Sequence, residues 1–332
     1  RYPLWVGHVG AGVAFLLVGA GLHTVQTIGL ALATDLAPPE SQPKVVGLMY
    51  VMLLLGMIVS AFAFGAALAD FSPLRLVQVI QACALITLVL NSVAAWKQEG
   101  RNAARRNPAR SQPSFSESWA SFAQGGHAVR RLLVVGFGTM GFSMADVLLE
   151  PYGGQILHLS VGATTSLTAT LAVGGLLGLG LASRVLSRGA DPFRMASYGV
   201  LWGMPAFMSV IAASPYNAPE LFAIGTFMVG FGAGLFGHGT LTATMNMAPR
   251  HQVGLALGAW GAAQALAAGL AIAVGGVLRD VVSSFTIQSQ FGPALGYMSV
   301  YAVEILFLVW TLVAMAPLLR KSLATPAQSS AP

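Results

Sequence analysis

Gly19-Ala20-Gly21-Leu22 returns as Gly232-Ala233-Gly234-Leu235, and each copy lies inside a long apolar run. Each run then reaches an Ala-Pro pair (Ala37-Pro38 and Ala248-Pro249), a polar patch, and a new glycine-bearing apolar run beginning near Val45 and Val253. The offset drifts from 213 residues at Gly19 and Gly232 to 207 at Gly47 and Gly254, so the first copy carries the longer loop. Four small residues say little alone; the shared order of loop and following span makes the pair a repeat. Counting hydrophobic spans between the copies gives the repeat unit, and the unit gives the fold.

Charged residues make up 8% of the 332-residue chain and hydrophobic residues 55%, with a mean hydropathy of +0.72. A soluble domain carries about 25% charged residues, so this chain is solvated by lipid. The hydrocarbon core of a bilayer requires about 20 apolar residues per helix. Runs of that kind lie at about Trp5–Thr34, Val45–Leu68, Leu76–Ala95, Leu132–Gln155 and Ala163–Leu186, then at Met195–Ala213, Leu221–Met247, Val253–Leu278 and Ala294–Leu318. These are nine spans, all helical, because an open sheet leaves its backbone unsatisfied in lipid.

The repeat copies fall in spans one and seven, six apart. An even interval means both cross in the same direction, so the repeat is a parallel unit of six spans. Two such units make a twelve-span parent, of which this chain supplies the fourth to twelfth spans. The opening Arg1-Tyr2-Pro3-Leu4-Trp5 has neither Met nor signal peptide and starts at a membrane interface, as that reading expects. Loops on one side carry Lys44; Lys97, Arg101, Arg105, Arg106, Arg110, Arg130 and Arg131; Arg184, Arg188 and Arg194; Arg250; and Arg320 with Lys321. The other side has Arg1, Arg75 and Arg279. Positive charge marks the cytoplasmic side, so fourteen against three places the long loop and the C-terminus there. The basic balance reflects topology and gives no reason to expect a nucleic-acid partner. Cys83 is the only cysteine and lies within a span, which rules out an intrachain disulfide.

The expected organisation is residues 1–96 for the rest of an N-terminal half and 97–131 for a cytoplasmic loop between halves. Residues 132–320 then form a complete C-terminal half and 321–332 a disordered tail. Within the loop, Gly100–Pro113 is polar and basic, while Phe115, Trp119 and Phe122 mark a short amphipathic helix over Ser114–Phe122. Parallel six-span halves joined by such a loop resemble the major facilitator architecture. Transporters of that superfamily place Gly, Asp-Arg and Gly-Arg after the eighth span. Here Gly180, Arg184 and Arg188 remain, but Ser183 stands where the Asp is expected.

Signals of a soluble enzyme are absent: no phosphate-binding glycine loop with Lys, no nucleophile elbow, no metal-spaced Cys/His cluster. The expectation is a protein without catalysis. What remains are ionisable residues inside the membrane, which cost several kcal/mol unless paired, neutral or wet. Asp146 and Glu150 lie four apart on one face of the seventh parent span, Asp146 deeper and Glu150 near the extracytoplasmic interface. Asp146 is either functional or a buried packing hydrogen bond. Glu304 is about ten residues, hence about 15 Å, into the last span. It is either held against a neighbouring helix or set on a face that meets a partner protein. His23 and His238 sit in the two repeat copies, in the fourth and tenth parent spans, which line the central cavity of the major facilitator architecture. Gly19, Gly21, Thr24 and Thr27 surround one, and Gly234, Gly237 and Gly239 the other. Small residues either let helices approach closely or leave room for a flat macrocycle. Gln26, Asn246 and Gln264 read as interhelical hydrogen-bond partners.

Two stretches carry a closer likeness. One is Ala33-Thr34-Asp35-Leu36-Ala37-Pro38-Pro39-Glu40-Ser41, running on to Phe71-Ser72-Pro73-Leu74-Arg75. The other is Asp146-Val147-Leu148-Leu149-Glu150-Pro151-Tyr152-Gly153-Gly154-Gln155, running on to Ser160-Val161-Gly162-Ala163-Thr164-Thr165. Ser187-Arg188-Gly189-Ala190-Asp191-Pro192 fits as well. With these stretches the chain resembles the bacteriochlorophyll delivery family of the major facilitator superfamily, found in purple phototrophic bacteria. The resemblance implies assembly of light-harvesting complexes in the inner (intracytoplasmic) membrane. The implied partners are antenna polypeptides, with the reaction centre–antenna core complex in view, and the implied cofactor is bacteriochlorophyll. His23 or His238 would then supply an axial ligand to the pigment magnesium, and Asp146 or Glu150 a hydrogen bond to a ring carbonyl. The alternative is a proton-coupled exporter of a tetrapyrrole or other amphipathic solute, with Asp146 as the proton site.

Overall fold

The computed structural model describes residues 3–38, 41–96, 116–117, 119–120, 128–247, 253–286, 289 and 292–324. Among them the chain forms α1 (Leu4–Leu36), α2 (Gln42–Ala67), α3 (Pro73–Ala95), α4 (Ala128–Ser143) and α5 (Ala145–Gln155). The rest are α6 (Val161–Leu186), α7 (Pro192–Ala213), α8 (Pro219–Met247), α9 (Val253–Thr286) and α10 (Gly292–Ala324). With α4 and α5 taken as one broken span, nine segments among the described residues are long and apolar enough to cross a membrane. The starts of the helices follow local chemistry. Ser72 accepts the Arg75 N–H at 3.1 Å ahead of Pro73, and Asp191 accepts the Phe193 and Arg194 N–H groups at 2.7 and 3.1 Å ahead of Pro192. The last helix runs to Ala324, past Lys321, where the sequence suggested a tail. The inter-half loop Gly100–Pro113, most of the amphipathic segment Ser114–Phe122, and residues 325–332 lie outside the described residues.

The C-terminal half is the packed part. α8 lies between α6 and α7 and touches both at backbone distance, because glycines line its two faces. A Cβ on Gly230 or Gly234 would collide with the backbone of α6 at Leu171 or Gly175; one on Gly232 or Gly239 would meet the backbone of α7 at Gly199 or Pro192. Thus Gly232 and Gly234 of the second repeat copy serve opposite neighbours. Gly19 and Gly21 of the first copy meet nothing within 4 Å, and α3 buries no residue.

The fourth span departs from the sequence reading. Leu132–Gln155 was read as one helix; the structure breaks it at Met144. Pro151 is not the cause, since it sits inside α5. At the break the Ala145 N–H donates to Glu304 Oε1 at 2.8 Å. A side chain inserted into the helical ladder is one of the recognised origins of a kink. Beyond it, α5 divides its residues by face. Leu148, Leu149, Tyr152 and Gly153 are buried, while Asp146, Val147 and Glu150 turn away from that core. Tyr152 anchors the buried face, its ring 5.3 to 5.6 Å from those of Phe222, Tyr297 and Tyr301. Next to it, Arg279 donates to the Tyr297 hydroxyl at 2.9 Å, and that hydroxyl donates to Gln155 Oε1 at 2.7 Å. Three helices are tied there.

Candidate functional site

The halves meet where α2 packs on α6 and α1 on α9, and two adjoining cavities open between them. The larger, about 1050 Å³, is walled by α2, α5, α6, α8 and α9 and holds Asp146 and His238. The other, about 880 Å³, is walled by α1, α2, α4 and α9 and holds His23, Gln26, Thr139 and Ser143. Tyr50, Trp260 and Gln264 line both and form the partition.

That partition is fixed from below. The Tyr50 and Trp260 rings meet edge to face at 6.2 Å, and Trp260 Nε1 donates to Thr240 Oγ1 at 3.3 Å. Trp260 is fully buried in an apolar cluster with Leu30, Val46, Val135, Leu241 and Leu257. The cluster draws on α1, α2, α4, α8 and α9, so it joins both halves across the floor of the cavities.

Of the residues expected from sequence, the structure brings His23, His238 and Asp146 to this pair of cavities. Asp146 is exposed, because its side of α5 faces the cavity. His238 is half-buried, and its Nδ1 is enclosed without a protein partner among the described residues. Thr139 Oγ1, also unpartnered, lines the adjoining cavity. Of the small residues near His238, Gly234 and Gly239 are consumed by helix contacts, whereas Gly237 is open and lines the cavity. The close-approach reading therefore holds at Gly234 and Gly239, while Gly237 leaves open space.

Glu150 lies elsewhere. It accepts a short hydrogen bond from Thr168 on α6 at the edge of a groove with Gly56, Ser60 and Phe64 of α2. Glu304 is fully buried on the inner side of α10, so its carboxyl meets α5 and not a face open to an outside partner. Sequence reasoning missed Tyr50, Trp260, Thr139 and Ser143. Aromatic and hydroxyl residues are common in apolar spans, whereas the histidines and carboxylates in those spans stood out. Among the described residues no group of three His, Cys, Asp or Glu could hold a metal ion. A ligand to a metal centre carried inside an organic ring needs a single donor atom, and the enclosed His238 Nδ1 has no partner among the described residues.

Comparison with known proteins gives this arrangement a family. The family model described as PUCC protein matches residues 1–323. Protein PucC of Cereibacter sphaeroides is 52% identical over 322 residues, which is 97% of this chain and 70% of that protein. Protein PucC of Rhodovulum sulfidophilum is 58% identical over 283 residues, 84% of this chain and 62% of its own length. A more distant relative, the "Bacteriochlorophyll synthase 44.5 kDa chain" of Rhodobacter capsulatus, is 28% identical over 314 residues, 91% of this chain and 70% of that protein. The chain thus spans 62 to 70% of the length of these relatives. Among solved structures, a bacterial homolog of the human lysosomal transporter Spinster, inward-facing and unoccupied, superposes with a TM-score of 0.59 at 16% identity. The match covers 86% of this chain and 72% of that one, and it shows the major facilitator fold alone. The chain is a multi-pass membrane protein of that fold and belongs to the PucC family.

Proposed function

We propose that this protein is an assembly factor for light-harvesting complexes, working without catalysis. It organises antenna polypeptides and holds bacteriochlorophyll in the cavity between its halves. The observation that carries the reading is the cavity around His238: an unpartnered imidazole nitrogen, a cavity-facing carboxyl at Asp146, an open backbone at Gly237 and apolar walls. An imidazole nitrogen free of protein partners can ligate a metal centre. Bound there, the pigment would supply its magnesium as the acceptor for that nitrogen. The residues then divide the work. His238 orients a ring from one side, His23 offers a more exposed donor in the adjoining cavity, and Asp146 offers a polar contact at the rim. Tyr50 and Trp260 give the ring an aromatic wall. Membership of the PucC family and the name of the bacteriochlorophyll-related relative support the pigment class. The reading includes an inner-membrane location, a cytoplasmic C-terminus from the charge asymmetry, and contact with the reaction centre–antenna core.

The test is a visible and near-infrared absorption spectrum of the protein purified in mild detergent from a pigmented host, with partners identified by mass. Bacteriochlorophyll in a fixed ratio together with antenna polypeptides is the expected result. A colourless, partnerless preparation overturns the reading. The second reading, a proton-coupled exporter of a tetrapyrrole or other amphipathic solute, draws on the transporter fold and the cavity-facing Asp146. It requires proton-dependent flux in vesicles that Asp146→Asn abolishes.

A further inference from the structure

The groove that carries Glu150 is continuous with the central cavity. Leu53 and Met57, one turn apart on α2, line both spaces. On α5, likewise, Asp146 lines the cavity and Glu150, one turn on, lines the groove. From the junction the groove, about 1110 Å³, follows α2 through Gly56, Ser60, Ala61 and Phe64 to Leu68 at its end. Steps of three and four residues put these side chains in one stripe on the helix. The rise from Leu53 to Leu68 is about 22 Å. A Cβ on Gly175 would lie 3.5 Å from the Leu54 side chain, and one on Gly65 3.6 Å from Thr165, so α2 and α6 stay in contact at both ends. Between those contacts Gly56 is exposed and meets nothing within 4 Å, which leaves the way from the cavity unblocked. Thr168 engages the Glu150 carboxyl. Neither lining includes a Lys or Arg, and each includes a carboxyl.

We propose that the groove along α2 binds the long hydrocarbon tail of the ligand whose ring sits at His238, so that the site takes an esterified, tailed tetrapyrrole. The inference rests on the pigment reading and deepens it. A ring in the cavity presents its tail at Leu53 and Met57, where the groove begins, and a stripe about 22 Å long accepts an extended chain rather than a short substituent. In a bilayer such a groove gains nothing from excluding water, because lipid is as apolar as its walls. What it offers is close packing of a chain already tethered there by its ring, and so present at high effective concentration. Met57 suits the task, since an unbranched thioether adapts to the shape beside it. Charge selects the same occupant. A phospholipid or a fatty acid would bring an anionic head to walls that hold carboxyls and no cation, whereas an ester-linked tail is neutral.

The probe is bacteriochlorophyll whose tail is an alkyl chain ending in a bromoacetyl group, bound to the full chain in lipid nanodiscs. In a Cys83→Ser background, a thiol is placed in the groove by Ser60→Cys or beside it by Val59→Cys, where the native side chain is 67% exposed and lines neither space. Absorption reads ring occupancy, and intact mass reads the thioether adduct. The expected result is severalfold more adduct with Ser60→Cys than with Val59→Cys, an excess that Gly56→Phe abolishes while the ring is retained. A retained ring with equal adduct at the two positions overturns the tail site and leaves the pigment reading standing. So does a retained ring with no adduct in Ser60→Cys and phospholipid recovered in a fixed ratio, which gives the groove to membrane lipid. A chain that retains no ring overturns both. Should Gly56→Phe fail to fold, the comparison of Ser60→Cys with Val59→Cys decides alone.

Discussion

At the scale of single residues, rarity made the site legible. A histidine or carboxylate in an apolar span is costly, so His23, His238 and Asp146 stood out before any coordinates, and the fold gathers them at adjoining cavities. Tyr50 and Trp260 did not stand out, because an aromatic side chain in a membrane helix needs no special reason to be there. Their role appears only when α2 and α9 face each other. Within the pigment reading the two histidines are not equivalent. His238 is half-buried with an enclosed, unpartnered Nδ1, whereas His23 is exposed. His238→Ala is therefore expected to lower the pigment ratio in purified protein about tenfold or more, a loss of about 1.4 kcal/mol of binding. His23→Ala should have a smaller effect. The ratio of pigment to protein absorbance checks both. Trp260→Phe is expected to retain the aromatic wall while releasing Thr240, and to leave the spectrum nearly unchanged; a bleached preparation would make the indole N–H, and not the wall, the feature that matters.

At the scale of elements, helices start where local chemistry sets them, and one span is broken into two helices where a distant residue intervenes. Ser72-Pro73 and Asp191-Pro192 announce helix starts locally, and the structure uses both. The break between α4 and α5 has no such local sign. At the break the Ala145 N–H is taken by a carboxyl 159 residues away in sequence. Hydropathy along Leu132–Gln155 carries no trace of it. The cap also explains why a fully buried glutamate is tolerated in α10: it accepts an N–H that the broken ladder would leave orphaned. Removing the acceptor strands that N–H, at a cost of about 1–3 kcal/mol. Glu304→Leu should therefore melt earlier than Glu304→Gln, which keeps a carbonyl oxygen in place. Thermal unfolding of both variants in the same detergent tests the order. Equal melting would mean the carboxyl is not what holds α5.

At the scale of the whole molecule, the repeat that revealed the architecture has two copies in different surroundings. Six spans separate them, the count from which the fold was read. Sequence could not show that the same glycines serve different purposes. In the second copy Gly232 is pressed against α7 and Gly234 against α6, and α8 can lie between them only because neither carries a side chain. In the first copy Gly19 and Gly21 face open space along α1, beside apolar side chains such as Phe15 and Val18 that are 78% and 68% exposed. A contact map, unlike a pattern of letters, separates a glycine that lets backbones touch from one that does not. The consequence is measurable. Gly234→Leu must push α6 away from α8 and should destabilise the protein by about 1–3 kcal/mol or more, the usual cost of overpacking. Gly21→Leu, with nothing to displace, should stay within about 0.5 kcal/mol of the parent chain. Melting of the two variants in lipid nanodiscs gives the comparison. A Gly21→Leu variant as damaged as Gly234→Leu would show that the face of α1 is covered in the membrane, and that the two copies of the repeat are packed alike after all.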